Sequence, residues 1–497
     1  MLLPLSIFLM SLWVVYKDKH TFSSILRVIF YLSLVYLIIS VWKSSDTIAN
    51  FFLFLFICFI TLAFVGFILD LSRNSKISQI TIILVSVVAG YFMDVLMNSQ
   101  NGLAVDQLSP DQIDEFLIEI DKHHMDDLKK FTTDHQATLT RAFSPQSEEI
   151  TELDNYYLLN VKESENCNSL LSTLKKIKGI NWVEINEIIP FEFPETTKEY
   201  QATGNALSND PSVVMQWHLS FLQMDKYYQF FKEKQINPTK TAKLYILDTG
   251  LDSGHEDLSM TGNIQKDKQG HGTHCAGVAA AVTNNKIGVA SMSPAPNWID
   301  IHGIQVIGDV GFGTQKAIID GIIRAADEGA DVISMSLGGI TNQEREKAYN
   351  DAVRYANNKG AIVVVAAGNA NLDGKRYSPA NAENVITVTS VNEKSEKSGF
   401  SNHVQNIKLG IAAPGERILS TTPSNTYTAY NGTSMATPQV AGLIAVMKAI
   451  DPGLTTESIY TLLNKTGKDT QNSARTGKLI QPFELIKMMN SKYRNEL

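Results

Sequence analysis

Apolar residues crowd the front of this chain. Four nearly uninterrupted stretches, roughly 2–16, 25–42, 50–70 and 79–97, occupy the first hundred residues. A membrane-spanning helix needs about 20 predominantly apolar residues, with about 17 as a lower limit. Residues 1–100 are therefore expected to form an all-α transmembrane region of about four spans, the third (FFLFLFICFITLAFVGFIL) the strongest and the first the weakest. Lys17 and Lys19 lie in the first connection and Arg73 and Lys76 in the third, whereas only Lys43 lies in the second. Positive charge favours the cytoplasmic side, so the long C-terminal part is expected outside the cytoplasm, on a multi-pass membrane protein.

Beyond the apolar region the pattern becomes that of a soluble protein. From 112 to 193, FLIEI (116–120), YYLLNV (156–161) and NWVEI (181–185) read as short strands. Leu170, Leu171, Leu174 and Ile177 recur at helical spacing, and Gly179 provides a stop. The pattern predicts a small α+β domain. Residues 194–214 (PETTKEYQATGNALSNDPSVV) lose periodicity and gain polar residues, Gly and Pro, as an exposed linker does. Such segments attract proteolytic cleavage.

From 215 to 497 a third texture appears. KLYILD, DVISMSL, AIVVVAA and NVITVTSV are short, β-branched and continuously apolar, as suits strands buried on both faces of a parallel sheet. Helices alternate with them, including 314–328, where Ile318, Ile319, Ile322, Ile323 and Ala326 form one stripe. This predicts an α/β fold whose ligands bind beyond the carboxyl ends of the strands. Asp248, Ser336 and Asn369 all fall at such ends.

Composition narrows the function. The net charge of −8 and the lack of a long basic run argue against a nucleic-acid partner. Cys58, Cys167 and Cys275 are too few and too scattered for a disulfide framework or a zinc site. His271, His274 and Cys275 are types that bind zinc, but no distant ligand completes the set.

Three segments carry the chemistry: ILDTGLDSGHEDL (246–258), GHGTHCAG (270–277) and NGTSMATPQVAG (431–442). A serine hydroxyl attacks a carbonyl only if an imidazole takes its proton, and a carboxylate must hold that imidazole in the right tautomer. No histidine follows Ser434, which excludes the α/β-hydrolase chain order. Asp before His before Ser on a parallel sheet is the subtilisin order.

The three segments resemble the signature blocks of subtilisin-like serine proteases, the subtilases, and the likeness runs from about 217 to 466. It implies a subtilisin-like parallel sheet with flanking helices and a serine endopeptidase that acts on peptides or proteins through Asp248, His271 and Ser434, with no cofactor in catalysis. A helix starting at Ser434, with Pro438 near its first turn, would direct a backbone N–H at the oxyanion, and Asn369 would donate the second hydrogen bond. Substrate would pair as an added strand with Gly311, Phe312 and Gly313 on one side and Ser336, Leu337 and Gly338 on the other. Ala366, Ala367 and Gly368 would line the specificity pocket, with Tyr377 near its floor. A structural calcium is implied at Asp257 and Asn285 with the carbonyls of Thr283, Ile287 and Val289. The region 112–193 resembles the inhibitory, ferredoxin-like prodomain of the same family, an intramolecular inhibitor released by self-cleavage in the linker. The competing reading is a membrane sensor or scaffold whose protease-like domain is silent; Asp248, His271, Asn369 and Ser434 together argue against it.

Overall fold

Residues 1–109 and 110–497 form two separate compact units. The computed structural model describes 115–147, 151–161, 167–191, 193–197, 208–260, 266–341 and 347–494. The four apolar stretches and linker residues 198–207 lie outside the described residues. Among the described residues no helix is long and apolar enough to cross a membrane.

The small domain runs β1 (Glu115–Ile120), α1 (Met125–Asp134), β2 (Thr138–Arg141), β3 (Tyr156–Asn160), α2 (Cys167–Leu174) and β4 (Ile180–Ile185). Its strands lie antiparallel in the order β2-β3-β1-β4, the βαββαβ arrangement of ferredoxin-like domains. Side chains alternate across a strand, and β1 uses both faces. Phe116, Ile118 and Ile120 pack with Leu128, Phe131, Leu170 and Leu174 in the domain's own core. Leu117 faces the other way, into a cluster shared with the large domain that follows. The sequence pattern misses α1 and β2. Helix α1 buries only Leu128 and Phe131, and β2, an edge strand, buries no residue, so neither carries a clear apolar period.

Two short strands, β5 (Ile188–Pro190) and β6 (Glu195–Thr197), lead into the large domain. That domain contains α3 (Trp217–Phe221), α4 (Met224–Lys234), β7 (Ala242–Asp248), α5 (His271–Ala280), β8 (Ile299–Gln305), β9 (Phe312–Thr314), α6 (Gln315–Asp327), β10 (Val332–Met335), β11 (Gly339–Ile340), α7 (Lys347–Asn358), β12 (Ile362–Ala366), β13 (Tyr377–Ser378) and β14 (Ile386–Val391). It continues with β15 (Gly410–Pro414), β16 (Ile418–Thr422), β17 (Thr426–Asn431), α8 (Thr433–Ile450), α9 (Thr456–Thr466), α10 (Ser473–Thr476), β18 (Lys478–Leu479) and α11 (Pro482–Arg494).

Seven strands form one parallel sheet in the order β18-β15-β14-β12-β10-β7-β8. Alternation along each strand feeds two cores. Leu244, Ile246, Val332, Val364 and Val388 join α5 and α8 on one face. Tyr245, Leu247, Ile333, Val363 and Val365 join α6 and α7 on the other. The strands read from sequence are those buried on both faces. Strand β8 sits at the sheet edge, and its IDIHGIQ sequence leaves Asp300 and His302 half-buried, so it lacks the continuous apolar run.

The chain passes from β7 outward to β8 and then returns to β10 on the other side of β7. That reversal opens a crevice beyond the carboxyl ends of β7 and β10, where open α/β sheets bind ligands.

Helix α8 is buried along almost its whole length, and its closest neighbour is α5. A Cβ at Gly442 would come within 2.5 Å of the Ala279 carbonyl oxygen. Backbone cannot yield there, so the two helices meet only because residue 442 has no side chain. Pro438 falls at the sixth helical position rather than in the first turn. A proline there removes the N–H that would bond to the Ser434 carbonyl. That carbonyl instead accepts hydrogen bonds from Ser336 Oγ at 2.9 Å and Cys275 Sγ at 3.5 Å, so the break tethers the helix start to the end of β10.

Candidate active site

Strand β7 ends on Asp248, at the crevice, and helix α5 begins on His271. The two side chains are each 1% exposed, and Asp248 Oδ1 lies 2.7 Å from His271 Nδ1. The turn before α5 is held by Asp267, whose buried carboxylate accepts from Thr249 Oγ1, Gly270 N, Thr273 N and Thr273 Oγ1 at 2.7–2.9 Å. A Cβ at Gly272 would lie 2.1 Å from the Gly250 carbonyl oxygen; glycine lets the imidazole turn come against the loop that follows β7. Asp267 is absent from the sequence reading, since a carboxylate that satisfies backbone N–H groups has no motif of its own.

Burial disfavours the imidazolium of His271, but the adjacent Asp248 carboxylate outweighs it and holds the ring pKa well above its ordinary value. Cys275 Sγ lies 3.9 Å from His271 Nδ1. Asp248, His271 and Cys275 offer metal-ligand atoms within 4.8 Å of one another. Burial pushes the thiol pKa up, and the His271 Nδ1 that faces it is already committed to Asp248. His274 turns away, with its Nε2 against the carbonyls of Ile418 and Thr428 at 3.0 Å.

Ser434 stands at the second position of α8, 7% exposed. Its Oγ donates to the Ser336 carbonyl at 3.2 Å, while His271 Nε2 makes no hydrogen bond. Asn369 follows Gly368 after β12, and its Oδ1 accepts from Thr433 N and Thr433 Oγ1, both at 2.9 Å. Asn369 lines the same pocket as Ser434. Asn402 pins this loop from behind, with Nδ2 donating to Ala367 O at 2.7 Å and Oδ1 accepting from Leu372 N at 2.7 Å.

A pocket of about 310 Å³ is lined by Ser336, Leu337, Gly338, Ala366, Gly368, Asn369, Thr433 and Ser434, with Pro190 and Phe191 closing one side. Ala367 is fully buried and points out of it. Tyr377 is buried beneath Gly368, where a Cβ would meet its ring at 2.6 Å. The Gly311–Gly313 edge already has a partner from this chain: Ile188, Ile189 and Pro190 pair antiparallel with Thr314, Gly313 and Phe312. Phe191 N donates to Gly311 O at 2.9 Å. The Phe191 ring meets His271 edge-on, 4.7 Å between centroids. Beyond the site, β6 joins β17 antiparallel, pairing Glu195 with Asn431 just before α8. The start of the linker is thus a paired strand, an order its polar composition hides.

The five residues of the expected calcium site lie together. Asp257 is fully buried; its Oδ1 accepts from Asn285 Nδ2 and its Oδ2 from Val289 N, each at 2.8 Å. A second carboxylate, Asp210, accepts from the N–H groups of Asn284, Asn285 and Lys286 at 2.8–3.1 Å. It lies inside the linker, where the sequence offered no marker. Burial raises the Asp257 carboxyl to about 7. Two carboxylates, an amide and nearby carbonyls are the hard oxygen donors that calcium takes, and a cation would offset the cost of burying Asp257. The residues fit the ion.

Residues 239–478 match the model of the Subtilase family. Thermitase from Thermoactinomyces vulgaris is 41% identical over 241 residues, which cover 44% of this chain and 83% of that protein. A thermophilic serine proteinase from Bacillus sp. (strain AK1) is 34% identical over 322 residues, covering 58% of this chain and 77% of that one. Among solved structures, fervidolysin from Fervidobacterium pennivorans, a keratinolytic enzyme related to subtilisin, aligns with a TM-score of 0.61 and 22% identity. That alignment covers 75% of this chain and 60% of fervidolysin, and it supports the fold.

A neutral imidazole is needed to take a proton, so the raised pKa of His271 predicts peptide hydrolysis that climbs as pH rises through that pKa. Replacing Asp248 by Asn should move the climb to lower pH and cut kcat by about four orders of magnitude, the loss seen when a triad acid is so changed. An unchanged pH profile in Asp248→Asn, measured on a chromogenic peptide, would contradict the pairing.

Proposed function

From the premise that this chain belongs to the subtilase family and is a subtilisin-like serine protease, we propose that it is a membrane-anchored, self-processing endopeptidase working through Asp248, His271 and Ser434. The observation that carries the reading is the buried Asp248–His271 pair beside a pocket that Ser434 and Asn369 share. In the reaction, Ser434 Oγ attacks the substrate carbonyl carbon as His271 Nε2 takes the hydroxyl proton, and Asp248 holds the Nδ1–H and stabilises the imidazolium. Negative charge on the carbonyl oxygen is met by the Asn369 amide and the backbone N–H of Ser434 at the α8 N-terminus. Removing one such donor costs about 100- to 1000-fold in turnover, a figure that comes from subtilisin itself. The C–N bond then breaks, the leaving amine takes the proton from His271, and a water releases the acyl group by the same steps.

The small domain acts as an intramolecular inhibitor. Its support is β5, which fills the Gly311–Gly313 edge as an added strand and sets Phe191 over His271. Pro190 and Phe191 share the Ser434 pocket, so the chain enters the linker from the site itself. Self-cleavage within 194–214 then frees the catalytic domain. The apolar stretches of residues 1–100 and their charge pattern support an anchor with the protease outside the cytoplasm. Wild-type chain expressed in membranes should yield a fragment starting between 194 and 216 by mass analysis, absent from Ser434→Ala. Full-length wild type that never cleaves an unfolded protein would favour the silent sensor.

Asp257, Asn285 and the carbonyls of Thr283, Ile287 and Val289, joined by Asp210, would hold a calcium ion that ties the start of the protease domain to its core. Ser434→Ala chain should melt several degrees higher in calcium than in chelator, and Asp210→Ala added to it should shrink that gap. Equal Tm values in calcium and chelator would refute the site.

A further inference from the structure

The loop that carries Asn369 leaves β12 in a conformation that few residues adopt. Gly368 sits at φ +95° and Asn371 at φ +54°, in the left-handed region that only glycine enters freely. Such a loop keeps its shape where its surroundings over-determine it. Here the segment 397–403 runs alongside. Asn371 N donates to Phe400 O at 2.7 Å, His403 N to Leu372 O at 2.8 Å, and Gly374 N to His403 O at 2.8 Å. Lys397 Nζ adds bonds to Asn371 Oδ1 at 3.0 Å and to Ser398 O at 2.9 Å. The segment is itself fastened to the central sheet at β14, where Ser398 N donates to Ser390 O at 2.9 Å and Ser390 N to Ser401 Oγ at 3.0 Å. At the centre of the contact is Asn402, which is fully buried. Its Nδ2 donates to Ala367 O at 2.7 Å, and its Oδ1 accepts from Ala370 N at 3.1 Å and from Leu372 N at 2.7 Å. Its own backbone N–H donates to Gly368 O at 2.9 Å. One residue thus holds backbone groups on both sides of Asn369. A Cβ at Gly368 would lie 2.5 Å from Asn402 Nδ2, so the loop and the asparagine are fitted to each other.

We propose that Asn402 is a positioning residue for peptide hydrolysis, holding the backbone of the 367–372 loop so that Asn369 meets the charge that develops on the substrate carbonyl oxygen. The inference rests on the reading of Asn369 as an oxyanion donor. Two different elements hold Asn369. Thr433, at the start of α8, binds its side-chain oxygen, and Asn402 binds the backbone before and after it. The first contact ties the side chain to the helix that carries Ser434, and the second fixes where the backbone of residue 369 lies. Asn402 is not among the residues that line the pocket, so it acts through Asn369 and not on substrate. A donor already in place stabilises the transition state without reorganising, and a misplacement of about 1 Å can cost about 100-fold in rate. Replacing Asn402 by an apolar residue removes the acceptor for Ala370 N and Leu372 N and the donor for the carbonyl of buried Ala367. Those groups must then find other partners, and the loop shifts to reach them. Because the oxyanion exists only beyond the ground state, the loss falls on kcat and spares KM.

The test is a double-mutant cycle on the full chain: wild type, Asn402→Ala, Asn369→Ala and the double variant, each treated with a trace of tagged wild type that is then removed. Active sites are counted by complete fluorophosphonate labelling of Ser434, and kcat and KM are measured per active site on a chromogenic peptide. Asn402→Ala should lower kcat by about ten- to 100-fold, less than Asn369→Ala does, with KM held within about twofold. In the Asn369→Ala background the same substitution should cost less than about twofold, because the group it positions is gone. An equal loss in both backgrounds, or a loss that appears in KM, overturns the positioning role while leaving Asn369 as donor. If Asn369→Ala itself leaves kcat unchanged, the oxyanion reading falls and the positioning role with it. Asn402→Asp guards against a misfolded alanine variant. It keeps the shape and both accepting bonds, loses the donor to Ala367 O, and should show the same dependence on Asn369. Failure of both variants to give labelled sites overturns the assignment, since Asn402 would then serve folding.

Discussion

The hydrogen bond between Asp248 Oδ1 and His271 Nδ1 is the contact on which the rest of the site is built. It closes at 2.7 Å between side chains that are each 1% exposed, where a lone carboxylate would be strongly disfavoured. Each supporting feature keeps that pair in register. Strand β7 delivers the carboxylate at the point where the sheet reverses direction. Asp267 holds the turn that starts α5, and Gly272 lets that turn approach. The packing of α8 against α5, permitted by Gly442, sets Ser434 beside them. The absence of an N–H at Pro438 anchors the start of α8 to Ser336 at the end of β10. A catalytic apparatus is thereby fixed by elements of the sheet and its two buried helices, with loops only at the rim.

Much of this was legible in the sequence because the chemistry needs particular residue types in a particular order. Asp248, His271 and Ser434 lie in three separate segments; the structure pairs Asp248 with His271 and sets Ser434 in the pocket that Asn369 also lines. The strands with continuous apolar runs were visible because they are buried on both faces. What escaped notice shares one physical cause: it is order that residue type does not reveal. Strand β8 is an edge, so its polar positions broke the pattern. Asp267 and Asp210 work by accepting backbone N–H groups, a role open to any aspartate in a turn. Strand β6 owes its order to pairing with β17; its two β-branched threonines are too short a run to stand out from the polar linker. Pro438 was read near the first turn because the helix start was taken at Ser434; the helix begins one residue earlier, at Thr433, which puts Pro438 in its second turn.

The small domain extends the logic of the site. Its four-stranded sheet uses one face for its own core and the other for the protease domain, and it sends β5 onto the edge that a substrate would use. Backbone pairing of this kind is indifferent to side chains, which is what the proposed inhibitory role requires. Asn186 and Glu187, immediately after β4, bond to the start of α6, and Glu184 reaches the start of α7. Helix N-termini favour negative and acceptor groups, so this edge of the small domain is electrically matched to the surface it covers.

The most direct test of the account is hydrogen exchange on the Ser434→Ala full chain, read by mass spectrometry on peptides that cover Glu187 to Phe191. If β5 pairs with β9 as described, the Phe191 amide, bonded to Gly311 O at 2.9 Å, should exchange as slowly as the amides of β9. Exchange at the rate of an open linker would show that the groove is vacant and would contradict the account at its centre.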